Sequence, residues 1–163
     1  MKENYFYIIK DNFFEKFNDP YLKANKGENR PHYFCFKDDT DGIFWVIPMS
    51  TKIEKYKKII SNKEKQGKPC DIVHICRVYG KKEMVFLIQD MFPITEKYIL
   101  RSYTIAKVDL KLVKEKDINI MHNKAKRILK LINKNIKFLP CQIDVLKIKN
   151  ELLSELNGLE FDT

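Results

Sequence analysis

The chain has 163 residues, with 31 Lys and Arg against 22 Asp and Glu for a formal net charge of +9, a length that suits one domain with a hydrophobic core of its own. Hydrophobic residues at 44% and aromatics at 12% can fill that core, while 33% charged residues leave no apolar run near the ~20 residues of a membrane span. The first thirty residues lack an export signal, so a cytoplasmic protein with no membrane partner is expected, and its positive field favours polyanions, nucleic acid first.

In chain order, Tyr5-Phe6-Tyr7-Ile8-Ile9 reads as a strand and Asn18 to Arg30 as a polar loop of about a dozen residues. Loops of this length in small domains often carry function. His32 to Lys37 and Ile43 to Pro48 read as a hairpin, joined by Asp38-Asp39-Thr40-Asp41-Gly42, whose Asp-Gly end supplies a positive-φ position. After Pro48 a helix opens with the capping-box spacing Thr51-x-x-Glu54, continues through Ile53, Tyr56 and Ile60, and fades near Gly67. A second hairpin pairs Asp71 to Val78 with Glu83 to Gln89; Met91 to Ile94 continues the β region, and Arg101 to Val113 adds another strand or two.

From Asp117 the period becomes helical, with Ile118, Met121, Ala125, Ile128, Leu129, Ile132 and Ile136 on one face and Pro140 as the stop. Val145, Ile148, Leu152 and Leu156 mark a closing amphipathic helix. Antiparallel strands followed by helices predict an α+β plan, with residues 1 to 163 as a single domain whose basic helices begin at about 117.

Three groups of residues carry candidate chemistry. The first is Pro48-Met49-Ser50-Thr51-Lys52: a helix start offers free amides and a positive dipole end to an anion, and here two hydroxyls and a cation join them. Such a set suits the oxygens of a phosphodiester and its pentacoordinate transition state, although an ordinary helix cap has the same spacing. The second is the polar loop, where Tyr21, Lys23, Lys26, Arg30 and His32 offer a phenol, cations and an imidazole. RNA cleavage without metal needs one group to take the 2′-hydroxyl proton, another to protonate the leaving oxygen and a cation to stabilise the phosphate. A solvated basic loop is the plainer alternative.

The third is the C-terminal region, where residues 121 to 150 hold eight Lys or Arg, among them Arg127, Lys130, Lys134 and Lys137, against Asp144 alone. Without compensating acids this face fits salt-sensitive, shape-based RNA binding. Cys35, Cys70, Cys76 and Cys141 form no CxxC pair and are expected as reduced, buried thiols, with Cys70, His74 and Cys76 too few for a zinc site. No Walker loop, GxGxxG, HExxH or hydrolase triad is present, so neither a metal nor another cofactor is expected.

Together, the opening strand, Phe17-Asn18-Asp19-Pro20-Tyr21-Leu22-Lys23, Asn29-Arg30-Pro31-His32-Tyr33-Phe34, Ile47-Pro48-Met49-Ser50-Thr51-Lys52 and Ile88-Gln89-Asp90-Met91-Phe92-Pro93-Ile94 carry a resemblance. In order and spacing they resemble the ToxN-like endoribonuclease toxins of bacterial type III toxin–antitoxin systems, in detail the CptN branch. The resemblance implies a strongly bent antiparallel sheet or barrel related to the MazF and Kid ribonucleases, decorated by helices. It implies cleavage of cellular and precursor RNA without metal, leaving a 2′,3′-cyclic phosphate. It also implies inhibition by a pseudoknotted repeat RNA antitoxin that the toxin processes, in a closed toxin–RNA assembly. Free toxin would arrest growth, as in phage defence by abortive infection.

The family's hydroxyl pair falls on Ser50 and Thr51, with threonine where the family's critical serine belongs. Its tyrosine falls on Tyr21. Its lysine matches Lys23, Lys26 or the place of Arg30, with Lys26 favoured as general acid/base or electrostatic catalyst. Lys23, Arg30, His32, Lys52, Lys55 and the basic helix residues would bind RNA. A non-catalytic basic RNA-binding protein is the alternative from another class, and a structural module whose charge only maintains solubility is a third.

Overall fold

Strand β1 (Phe6–Ile9) is buried at all four positions, as a continuous apolar run demands when both faces of a strand are covered. It lies between β2 (Pro31–Lys37) and β7 (Ile99–Ser102), antiparallel to both. The computed structural model describes residues 1–23, 25, 27–80 and 82–160, the last two without their side chains. Its main sheet adds β3 (Phe44–Ser50), β4 (His74–Tyr79), β5 (Lys82–Phe86) and β6 (Phe92–Ile94), in the order β4-β5-β3-β2-β1-β7 with β6 also pairing β3. The terminal strands β4 and β7 do not pair with each other, so the sheet is open and no closed barrel forms among the described residues.

Strand β3 changes its outer partner along its length. Phe44, Trp45 and Val46 pair with β6, whereas Met49 and Ser50 pair with β5. Pro48 stands between the two groups, where its missing N–H costs no ladder bond, and its carbonyl accepts the Leu87 N–H at 2.9 Å. The hairpin joining β2 to β3 is the one the Asp-Gly signal predicts. Gly42 has φ +72°, Asp38 and Ile43 close the turn backbone to backbone at 2.8 Å, and the Asp38 and Asp41 carboxylates accept from Thr40 and Ile43 amides. A two-stranded ribbon, β8 (Thr104–Ile105) and β9 (Val108–Asp109), completes the β structure.

Among the described residues, four α-helices accompany the sheet. Helix α1 (Asp11–Lys16), absent from the sequence expectation, is too short to show a period; it buries Phe13, which stacks on Phe92 at 5.3 Å. Helix α2 (Ile53–Lys65) ends at Gln66, where Gly67 at φ +65° and the Lys68 amide bonded to the Lys63 carbonyl close its last turn. Its start corrects the capping box. Lys52 is the N-cap and no side chain caps the helix; instead the Ser50 hydroxyl accepts the Lys52 N–H at 3.2 Å.

Helix α3 (Glu115–Asn133) buries Met121, Ala125, Ile128 and Ile132 of the expected stripe, leaves Ile118 and Leu129 half-buried, and also buries Asp117, which the stripe did not include. It stops before Pro140 because Asn135 turns to φ +54° and the Ile136 amide bonds the Leu131 carbonyl. Ile136 therefore leaves the stripe and is 45% exposed. Helix α4 (Val145–Glu160) buries Val145, Ile148 and Leu152.

One core joins the sheet to α1, α3 and α4. A satellite of Tyr56, Val73, Val85 and Leu87 holds α2 against the β4–β5 hairpin. No described helix is long and apolar enough to cross a membrane.

Candidate active site

At the seam between the main core and the α2 satellite lies a cleft of about 370 Å³. Three stretches far apart in sequence build it. The polar loop supplies Lys23, Asn29 and Arg30; the end of β3 and the first turn of α2 supply Ser50, Thr51, Lys52, Lys55 and Tyr56; Met84 and Leu87 come from β5 and the residue following it. Antiparallel pairing explains the meeting, because His32 sits opposite Pro48 and so brings the start of β2 beside the end of β3. Arg30 then reaches across to donate from Nη2 to the Met49 carbonyl at 3.1 Å.

Four cations, the Ser50 and Thr51 hydroxyls and the Tyr56 phenol thus share one hollow, and no carboxylate lines it among the described residues. The nearest acid stands behind it. Asp90 is 9% exposed, pairs with the Lys23 ammonium and takes a bond of 3.2 Å from the Gln89 amide. Burial lowers the Arg30 pKa from its ordinary value and the Asp90 charge partly restores it, leaving a guanidinium that stays protonated. Thr51 and Lys52 are exposed, and the Lys55 ammonium lies 5.4 Å from the centre of the Tyr56 ring. Chemically, the cleft can hold a phosphodiester by charge and by hydroxyl donation at a helix start, where the macrodipole adds partial positive charge.

Six of the residues expected from the sequence therefore converge: Lys23, Arg30, Ser50, Thr51, Lys52 and Lys55. Lys26 lies outside the described residues. Tyr21 is not part of the cleft lining and is 44% exposed. Its segment is drawn toward α4, since Asp19 accepts both the Tyr21 N–H at 2.8 Å and the Asp144 N–H at 3.0 Å. The neighbouring Cys141 thiol raises the Tyr21 pKa, so the phenol keeps its proton at neutral pH and is not a ready base.

His32 corrects the sequence expectation more sharply. It is fully buried between Phe14 and Phe92 and cannot touch RNA at the surface. Burial along β2 explains this, because His32, Tyr33, Phe34 and Cys35 are all buried and both faces of the strand are therefore covered from the residue after Pro31, which lines the cleft.

The basic helices are less free than their composition suggests. Arg127 makes a two-pronged pair with Asp71 at 2.7 and 2.9 Å, Lys124 donates to the Val73 carbonyl at 2.9 Å, and Lys149 pairs with Asp41 at 2.5 Å. Lys130, Lys134 and Lys137 are exposed, with no ion-pair partner among the described residues. Of the cysteines, Cys35 and Cys76 are buried and burial raises both thiols, Cys76 to about 12, whereas Cys141 is exposed, contrary to expectation.

Among described residues, the group able to hold a metal is His74, Cys76 and Asp117, with Asp117 in the place the sequence suggested for Cys70. His74 Nε2 and Asp117 Oδ1 already bond at 3.0 Å, tying β4 to α3. Sequence reasoning missed Tyr56, Met84 and Leu87 as lining residues. Their apolar spacing signalled only burial, and nothing local told which of them border a cleft.

No family model matches the sequence, and no curated protein matches it. Among solved structures the chain is similar to AbiQ, described as a lactococcal anti-phage endoribonuclease belonging to the type III toxin–antitoxin system. The match covers 99% of this chain and 100% of AbiQ at a TM-score of 0.66 and 14% identity. From end to end, the chain has the fold of AbiQ.

Proposed function

We propose that the chain is an endoribonuclease toxin of a type III toxin–antitoxin system that cuts RNA without a metal. The observation carrying this reading is the convergence of Lys23, Arg30, Ser50, Thr51, Lys52 and Lys55 in one acid-free cleft, on the fold of an anti-phage endoribonuclease. In the reaction, the ribose 2′-hydroxyl oxygen attacks the adjacent phosphorus and the bond to the 5′-oxygen breaks. The products are a 2′,3′-cyclic phosphate and a free 5′-hydroxyl. Ser50 and Thr51 donate to the non-bridging oxygens, while Lys52, Lys55 and Arg30 offset the charge that grows there. Lys26 is the candidate for proton transfer, and Lys23, anchored on Asp90, adds charge to the cleft.

Purified RNA-free protein incubated with a long RNA in EDTA is expected to give discrete cuts ending in cyclic phosphate. Intact RNA, or cuts that need added metal, would overturn the reading; tight binding to intact RNA would mark a non-catalytic RNA-binding protein instead.

The partner in this reading is a pseudoknotted repeat RNA antitoxin, which the toxin cuts from its precursor and which joins it in a closed assembly. Lys130, Lys134 and Lys137 are the antitoxin contacts, because their charges are not spent on internal ion pairs. Replacing all three by Ala is expected to reduce the slope of log affinity against log salt for the repeat RNA by about 2 to 3. A filter-binding titration checks this, and an unchanged slope removes these residues from the interface. Arg127→Ala is expected to change the slope less, since its guanidinium already faces Asp71.

A further inference from the structure

A second hollow, of about 50 Å³, adjoins the cationic cleft and shares Pro31, Met49 and Met84 with it. The β4–β5 hairpin adds Tyr79 and Lys82 to its wall, and the segment between β7 and β8 adds Tyr103. Its surface is thus largely apolar, with Val78, Ile105 and Leu110 beside the thioethers, the proline and the two phenol rings, and Lys82 as its cation. Tyr79 is 53% exposed although it belongs to a strand, and its hydroxyl has no hydrogen-bond partner among the described residues. A large aromatic surface left in water beside a basic cleft suits a planar ligand that arrives on a charged chain. At about 50 Å³ the hollow is too shallow to enclose a ring, so a planar ligand would rest on its mouth against the exposed face of Tyr79.

We propose that this hollow seats one unpaired nucleobase of the RNA strand whose phosphate lies among Ser50, Thr51 and Lys52, an inference that rests on the RNA-cleavage reading above. Continuity selects this occupant. The three shared residues make the hollow continuous with the phosphate cleft, and Lys82 extends the positive charge along that path. Stacking on Tyr79 accepts every base, so it supplies affinity and fixes the register of the strand at the phosphate. Selectivity among bases would come from the Tyr79 and Tyr103 hydroxyls.

The test uses the full chain and a short single-stranded 2′-O-methyl oligonucleotide, which lacks the attacking hydroxyl and so stays intact. Tyr79→Ala is expected to weaken binding about tenfold, and Tyr79→Phe to retain it. An abasic site moved along the oligonucleotide should cost wild type a similar factor at one position, and that loss should vanish in the Tyr79→Ala protein. Additive losses at every position, unaltered binding by Tyr79→Ala, or no binding by wild type would each overturn the proposal. So would a dimer that Tyr79→Ala dissociates without coupling to any base. Cleavage of unmodified RNA by wild type is scored separately. Intact RNA together with the coupling would sink the ribonuclease reading and leave the base seat standing.

Discussion

Replacing Ser50 and Thr51 together by Ala is expected to slow RNA cleavage by about 10²- to 10³-fold, in the range found for losing one preorganised donor to a developing oxyanion. RNA affinity and its salt dependence should stay near wild type, because Lys23, Arg30, Lys52 and Lys55 are left in the cleft and they carry the counterion release. The Ser50 hydroxyl also holds the Lys52 amide at 3.2 Å, so the variant should lose about 1 kcal/mol of stability as well. Thr51→Ser keeps a hydroxyl at the second position and is expected to cut at a rate close to wild type. Single-turnover cleavage beside a thermal melt separates the two effects. A folded double variant cutting at nearly the wild-type rate would take both hydroxyls out of the mechanism.

Acid is expected to destabilise the protein through His32. Among the described residues neither ring nitrogen meets hydrogen-bond geometry, and burial, aided by the nearby Arg30 charge and only partly opposed by the Arg30 backbone, pushes the imidazole down to about 3 from its ordinary 6.5. Between those two values the unfolded chain binds a proton that the folded chain refuses. Stability contributed by neutral His32 is therefore complete above pH 6.5 and is lost as pH falls toward 3, with a slope approaching about 1.4 kcal/mol per pH unit.

His32→Leu removes this titration while filling the space between Phe14 and Phe92 with apolar atoms. Relative to the variant, wild type should lose denaturation midpoint steadily from pH 7 to pH 4. Carboxylates and the remaining histidines titrate in both proteins and cancel in the difference. A difference that stays constant over that range would show that His32 protonates as freely in the folded chain as in the unfolded one.

Local chemistry made several elements legible in the sequence. The β2–β3 hairpin follows from Asp38 to Gly42, where the carboxylates bond to amides two residues away and glycine takes φ +72°. The buried stripe of α3 follows from the spacing of Met121, Ala125, Ile128 and Ile132. Ser50, Thr51 and Lys52 were legible because they lie side by side next to a helix start. Each of these signals spans a few residues and needs no distant partner. Where two local arrangements compete, spacing alone does not decide between them. The Thr51-x-x-Glu54 spacing matched a cap that the chain does not use, because Ser50 holds the Lys52 amide instead, and the stripe of α3 ended early at Ile136, where the backbone reverses at Asn135.

By itself, then, the sequence determined the α+β plan, the positive field, the first hairpin and the hydroxyl-rich start of α2, all consequences of periodicity, turn chemistry and net charge. Only the tertiary structure decided which cations face a ligand. It set Lys23 and Arg30 beside Ser50 through the pairing of His32 with Pro48, and spent Arg127 on Asp71, 56 residues away in sequence. It also hid His32 and drew Tyr21 toward α4. The physical reason is that periodicity records which face of an element is buried, whereas ion pairing and desolvation depend on what another part of the chain brings to that face.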